Sequence, residues 1–336
     1  MTSSDGRLRA LAEWLTSNPA LGDGSLAPAS GDASFRRYFR VTTSAATYIA
    51  MDAPPPQEDC RPFVAVAGYL EAIGVHAPRV LDADLDRGFL LLTDLGATQY
   101  LDVLCDDADR APGLYDDALT ALLRVQQRGT AFQSSLPPYD QELLTFELSL
   151  FHDWLCGTHL GIDFDTEAES AWQRTCDLLI DNALQQPQVF VHRDYHSRNL
   201  MVVPDTNPGI LDFQDAVEGP LTYDLVSLLK DCYIRWPAGR VRRWARQFYD
   251  GLAEDVRSQA DFDRFWRWFE LMGVQRHLKA AGIFARLNHR DGKAAYIGDV
   301  PRTLSYITEL APHYDELAFV IELIETRVLP PLEKPS

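Results

Sequence analysis

The chain has 336 residues, 46% hydrophobic and 24% charged, with a formal net charge of −18 at pH 7. This is globular usage and excludes fibrous and disordered classes. The acidity opposes binding to nucleic acid or an anionic membrane surface, whose attraction rests on clustered Lys and Arg. Cys60, Cys105, Cys156, Cys176 and Cys232 are scattered, without the close pairs of zinc or redox sites, so reduced and mostly buried thiols are expected. No run approaches the roughly 18 apolar residues of a membrane span, and "MTSSDGRLRALAEWL" lacks the apolar core of a leader. These features predict a soluble, cytoplasmic protein with no obligate protein partner in evidence.

Residues 31–52, "GDASFRRYFRVTTSAATYIAMD", carry two β-rich runs around a Thr/Ser turn and predict a hairpin. "APPP" then breaks the sheet, and Arg61 to Ile73 predicts a helix with Phe63, Val66, Ala67 and Leu70 on one face. "GFLLLTDLG", Gly88 to Gly96, reads as a buried strand leaving through a Gly turn. From about residue 98 the periodicity is helical, near 114–128, 141–156, 168–185, 222–235, 239–256 and 262–287, interrupted by a β segment over 189–213. The expected class is α+β and bilobal. A small antiparallel-sheet lobe, 1–95, precedes a larger helical lobe, 96–336, with "TDLGA" as the connection and a ligand cleft between them.

The segment "VHRDYHSRNLM", Val191 to Met201, follows the apolar "VFV" with a dense polar loop, as a buried strand does when it delivers a loop to a site. After it, "MVV", the turn-forming "PDTNPG" and "ILDF" predict a second hairpin. The residue before the first strand and the last residue of the second lie at one end of a hairpin. Asn199 and Asp212 should therefore meet, with Asp194 reaching them from the preceding loop. An amide oxygen and a carboxylate are hard ligands suited to Mg²⁺, and a second carboxylate could orient a substrate hydroxyl and accept its proton. Those are the parts of a phosphoryl-transfer site.

The pattern H-x-D-x-x-x-x-N followed by D, present as His192, Asp194, Asn199 and Asp212, resembles the aminoglycoside phosphotransferase branch of the protein-kinase-like fold. "GDASFRRYFRV", "MDAPP", "LLLTDLG" and "LDFQDAVEGPLTYDLVSLLKD" look more closely like the bacterial anomeric sugar kinases of cell-wall recycling. The resemblance implies ATP as donor and the C1 hydroxyl of an amino sugar, N-acetylmuramic acid or N-acetylglucosamine, as acceptor. It further implies Asp194 as catalytic base, Asn199 and Asp212 as magnesium ligands, and Asp224 as an acceptor for backbone N–H groups of the catalytic loop. His192 would pack and hydrogen-bond at the base of that loop. Main-chain groups of Thr93, Asp94 and Leu95 would bind the adenine edge. Another small-alcohol or aminoglycoside kinase, or an inactive nucleotide-binding regulator, is the alternative.

The strand "YIAMD" departs from the kinase-like pattern: it has no lysine for the nucleotide phosphates, and Met51 stands about where one is expected. Ser34 and backbone N–H groups near the hairpin tip would contact phosphate. If Phe35, Phe39 and Val41 face the lobe interior, alternation puts Arg37 on the same face and makes it the replacement cation, with Arg36 and Arg40 on the other. Only 12 residues separate Asp212 from Asp224, too few for a peptide-docking activation segment, so a small molecule is the expected acceptor. Candidate sugar contacts are Glu142, Asp215 and Glu218. Arg198, Arg235 or Arg276 is available for the lactyl carboxylate. Trp154 or Phe151 could stack on a sugar, although apolar residues at helical spacing are more commonly core.

Overall fold

Apolar residues on three neighbouring strands build the core of the first sheet. The computed structural model describes residues 6–18, 21, 24–31 and 35–332. They fall into two units: residues up to Val103 with Asn199–Asp215, and Leu104–Arg198 with Ala216 onward. The first begins with α1 (Gly6–Thr16), β1 (Ser25–Gly31), β2 (Arg37–Thr42), β3 (Thr47–Asp52), α2 (Arg61–Ala72), β4 (Val80–Asp84) and β5 (Phe89–Thr93). The five strands form an antiparallel sheet in the order β1-β2-β3-β5-β4. β2 and β3 form the predicted hairpin, whereas β1 is an addition. Pro28 disguises β1 in the sequence, and the sheet edge tolerates it because the register shifts between Pro28 and Ser30.

Phe39, Val41, Ala50, Phe89 and Leu91 of the sheet pack against Leu11 and Leu15 of α1. Each of the larger side chains contributes about 1.5–3 kcal/mol on burial. α2 buries Phe63, Val66, Ala67 and Leu70, the face its periodicity predicts, and ends at Gly74, whose φ of 74° is left-handed. Gly88 is required in the turn before β5: a Cβ there would lie 1.9 Å from the Ala53 carbonyl oxygen.

After α3 (Tyr100–Asp106), the second unit contains α4 (Ala111–Gly129), α5 (Gln141–Leu150), α6 (Thr166–Leu184) and the strand β6 (Gln188–Val191). The hairpin β7 (Leu200–Met201) and β8 (Gly209–Ile210) belongs to the first unit. The second unit resumes with β9 (Val217–Pro220), α7 (Tyr223–Leu229), α8 (Ala238–Gly251), α9 (Glu254–Arg257), α10 (Phe262–Asp291), α11 (Val300–Thr308), α12 (Ala318–Leu323) and α13 (Leu329–Leu332). α5 continues through wide turns over Phe151–His159, and Gly282 of α10 crosses it there. A Cβ at Gly282 would lie 2.3 Å from the Leu150 carbonyl carbon. α10, 30 residues long, is buried along most of its length among α5, α6, α7 and α11.

Two sequence expectations shorten in the structure. The β segment predicted over 189–213 resolves into β6 and a hairpin with two paired residues on each side. The helix predicted over 222–235 stops at Leu229, because Asp231 turns its carboxylate to the backbone N–H groups of Ser197 and Tyr233. Four of the cysteines are buried and Cys105 is exposed, and all are free thiols. Among the described residues no helix is long and apolar enough to cross a membrane.

Candidate active site

β6 pairs antiparallel with β9 and ends at Val191, releasing the chain into the polar loop. The N–H groups of His192 and Arg193 both donate to the Asp224 carboxylate, at 2.7 and 2.9 Å. Asp224 is fully buried in the first turn of α7. Burial pushes its carboxyl up to about 7, against the downward pull of those two N–H bonds. The buried His192 ring meets Tyr195 edge-on, and its Nδ1 accepts the Asp194 N–H at 3.2 Å. Farther along the loop, Ser197 gives both its N–H and its hydroxyl to Asp231.

Arg193 has φ of 77°, a left-handed conformation that costs an L-residue roughly 1–2 kcal/mol. Its guanidinium is tied to Glu147, a buried carboxylate on α5. Glu147 also accepts from Lys279 Nζ of α10 at 2.8 Å, from Gln275 Nε2 at 3.1 Å and from the Tyr139 hydroxyl. Burial alone would raise the Glu147 carboxyl, but Lys279 and Arg193 outweigh it and hold the group below the usual range. Asp194 behaves similarly. Desolvation favours its neutral form, while the field of Lys279, Arg276 and Arg193 keeps it ionised.

The remaining predicted residues of this unit divide by surroundings. Glu142 is exposed in the first turn of α5, where the helix dipole accommodates a carboxylate. Glu218 lies on β9 and accepts from Gln133 Nε2 at 3.0 Å. Arg198 lies over the Tyr233 ring, 3.7 Å from its centroid, and Arg276 is buried on α10. Phe151 has no exposed surface and stacks on Trp172, so it is core rather than a platform for sugar. Trp154 is partly exposed.

In the first unit the short hairpin brings Asn199 and Asp212 side by side. Asn199 Nδ2 is 3.4 Å from Asp212 Oδ2, and the Leu211 N–H donates to the Asn199 carbonyl at 2.9 Å. Asp212 has φ of 61°, and its carboxylate is about one-third exposed (36%). Phe213, next in sequence, is fully buried against Phe63 of α2 and anchors that end of the hairpin. Gln214 Nε2 bridges Asp212 and the exposed Asp215, at 2.9 Å to each.

The position without the lysine resolves differently from the sequence expectation. Met51 is fully buried, and the neighbouring Asp52 is buried with it. Arg37 does lie on the interior face beside Phe39, but its guanidinium is committed to Asp52 together with Arg7 of α1. A cation near Asp212 is Arg36, with Nη2 3.7 Å from Asp212 Oδ1 and Nε 3.8 Å from Glu58. Arg36 precedes β2, so strand alternation does not govern it. Ser34 lies outside the described residues.

Thr93 closes β5, its N–H donating to the Arg79 carbonyl at 3.0 Å. The Asp94 carboxylate receives Arg40, at 2.7 Å to Nε, and the Gly96 N–H, so its side chain braces the connection. Leu95 packs with Met201, Val203 and Leu211. Glu71, His76, Arg79, Thr93, Asp94 and Leu95 line a cavity of about 190 Å³.

Sequence reasoning missed Glu147, Lys279 and Arg36. The first left a signal: Glu147 occupies an apolar stripe at i, i+3, i+4, i+7 with Leu144, Leu148 and Phe151, where a charge is tolerated only with a buried partner.

The model of the phosphotransferase enzyme family matches residues 25–264. This chain belongs to that family. Among relatives of the phosphotransferase, a Pseudomonas putida protein named N-acetylmuramate/N-acetylglucosamine kinase is 49% identical over 335 residues, covering 96% of this chain and 97% of the other. A Pseudomonas aeruginosa protein of the same name is 51% identical over 304 residues, 89% and 87% of the two chains. Solved structures share the kinase-like fold at low identity. A choline/ethanolamine kinase family protein from Mesorhizobium loti matches with a TM-score of 0.63 at 16% identity, covering 93% of this chain and 98% of that one. An ADP-bound aminoglycoside phosphotransferase matches at 0.57 and 15%, covering 88% and 97%.

Proposed function

We propose that this phosphotransferase moves the γ-phosphoryl group of ATP to the anomeric C1 hydroxyl of N-acetylmuramic acid and N-acetylglucosamine, in the cytoplasm, as a step of peptidoglycan recycling. Near-full-length relatives at about half identity carry that name. The observation that carries the chemistry is Asp194, an ionised carboxylate on a loop whose backbone is fixed by Asp224 and whose neighbouring side chain is fixed by Glu147. The first unit is read as the nucleotide-binding lobe, and the second as the acceptor-binding lobe.

Asp194 accepts a hydrogen bond from the C1 hydroxyl and orients its oxygen toward the γ-phosphorus. A bond forms from that oxygen to phosphorus, the bond to the β,γ-bridging oxygen breaks, and its electron pair leaves on ADP. The hydroxyl proton passes to Asp194 and then to solvent. Phosphoryl transfer proceeds through a loose transition state, so deprotonation follows bond cleavage and a carboxylate of low proton affinity suffices.

Asn199 and Asp212 fit a magnesium ion: one amide and one carboxylate are adjacent, partly exposed and all-oxygen once the Asn199 amide turns its oxygen toward Asp212. Among the described residues no cluster of three or more His, Cys, Asp and Glu forms a full metal cage, as suits an ion that keeps water and phosphate oxygens in its shell. When bound, the ion neutralises charge on the phosphates. Arg36 supplies the cation that the third strand lacks, and main-chain groups of Thr93 to Leu95 take the adenine edge.

ADP release measured with N-acetylmuramic acid, N-acetylglucosamine, an aminoglycoside and choline tests this reading. Turnover on the two amino sugars, with a C1 phosphate identified by phosphorus NMR, is expected. Turnover on choline or the aminoglycoside instead would replace the acceptor assignment. ATP binding without turnover on any acceptor would make the protein a nucleotide-binding regulator.

A further inference from the structure

Three arginines of the second unit are available to an anionic acceptor, and their surroundings separate them. Arg235 is committed to Glu309 and Ser305, with its guanidinium over Tyr306. Arg198 is laid on the Tyr233 ring. Arg276 differs from both. It is 6% exposed, in the middle of α10, and forms no ion pair with a described residue. Its Nε is buried without a hydrogen-bond partner, and Nη1 has only Cys232 Sγ, a weak acceptor, at 3.8 Å.

Burying a guanidinium without a strong acceptor is unfavourable, so a chain that keeps one has an anion to offer it. Of the buried carboxylates in its electrostatic reach, Asp231 is committed to Ser197 and Tyr233 and Asp224 to the loop backbone, while Asp194 acts on it through charge alone. Arg276 also stays charged. Burial opposes its charge, but the carboxylates of Asp194 and Asp231 favour it, and its pKa is raised.

A second unsatisfied atom lies on the same loop. His196, two residues past Asp194 and within electrostatic reach of Arg276, has a buried Nδ1 without a hydrogen-bond partner. Burial lowers its pKa, leaving a neutral imidazole able to donate one N–H. Arg276 and His196 thus present unused polar atoms beside the carboxylate that receives the acceptor hydroxyl.

We propose that Arg276 binds the lactyl carboxylate of N-acetylmuramic acid, and so sets the preference between the two amino sugars. This deepens the function proposed above and rests on it. The carboxylate hangs from O3 of the ring whose C1 hydroxyl Asp194 takes up, so one sugar supplies both groups. The planar guanidinium fork matches a carboxylate in two parallel hydrogen bonds, and N-acetylglucosamine, without the lactyl group, makes no use of it.

The test is the specificity ratio, kcat/KM on N-acetylmuramic acid over kcat/KM on N-acetylglucosamine. Taking the ratio cancels any general damage to the loop. In Arg276→Met, of similar length, the ratio falls on the order of 30-fold, and Arg276→Lys recovers part of it. A ratio within about threefold of wild type in both variants overturns the proposal, since a structural role harms both sugars alike. Should Arg276→Met not fold, the wild-type enzyme serves with the methyl ester of N-acetylmuramic acid. A loss of kcat/KM of the same order supports the proposal, and an ester used as well as the acid overturns it. Wild-type enzyme inactive on both sugars would instead remove the function on which the proposal rests.

Discussion

The loop over 192–198 and the hairpin over 199–212 adjoin in sequence and are held in opposite ways. The loop is fixed by buried polar and charged groups of three helices, through Glu147 on α5, Asp224 on α7 and Lys279 on α10. The hairpin has two paired residues on each side, and its Asp212 is about one-third exposed (36%) among polar side chains. The difference suits the two tasks proposed for them. A base must meet a hydroxyl within a few tenths of an ångström, which demands locked rotamers and backbone. Ligands of a divalent ion must admit water and a new pair of phosphates at each turnover, which a rigid buried cage would hinder.

The contrast yields measurements in descending size of effect. Asp212→Ala lowers kcat about 10³-fold and abolishes the dependence of rate on magnesium concentration, with little change in urea unfolding. Unchanged magnesium dependence would break the assignment of the hairpin. Glu147→Gln acts in the reverse sense, leaving Arg193 and Lys279 as buried cations without a counter-charge. It costs about 3–5 kcal/mol in urea unfolding and lowers kcat through the loop. A variant as stable as wild type would show that buried charge does not hold the base.

The two adjacent arginines sharpen the comparison. Arg36→Ala raises KM for ATP about tenfold with little effect on stability, while Arg37→Ala costs stability, about 1–2 kcal/mol, and little ATP affinity. The reverse pattern would restore Arg37 as the phosphate cation.

A pH dependence, read apart from that series, comes last. His277 donates Nε2–H to the Lys230 carbonyl at 2.8 Å and stacks on Tyr306, and burial drives its pKa down to about 3. The unfolded chain then binds more protons at this site than the native state between roughly pH 6.5 and 3. The stability that His277 contributes is complete above pH 6.5 and falls with pH, by about 2 kcal/mol at pH 5. His277→Asn flattens this acid limb in urea unfolding measured from pH 7.5 to 5, and an unaltered slope contradicts the assignment.

The sequence made some of this legible and concealed the rest for physical reasons. α2 could be read because its buried positions recur at helical spacing, and the loop because polar residues follow an apolar run abruptly. β1 was hidden by Pro28, which marks a breaker everywhere except at a sheet edge. Alternation placed Arg37 on the correct face, but nothing local told that Asp52 and Arg7 would share it. Glu147 and Lys279 meet only through the packing of α5 on α10, and sequence spacing carries no trace of such a long-range pair.

The most direct test of the central claim, that Asp194 receives the acceptor proton, is Asp194→Asn, which keeps shape and removes charge. With N-acetylmuramic acid and ATP saturating, kcat is predicted to fall at least about 10³-fold, while nucleotide affinity stays within about twofold. A kcat within tenfold of wild type would contradict the account.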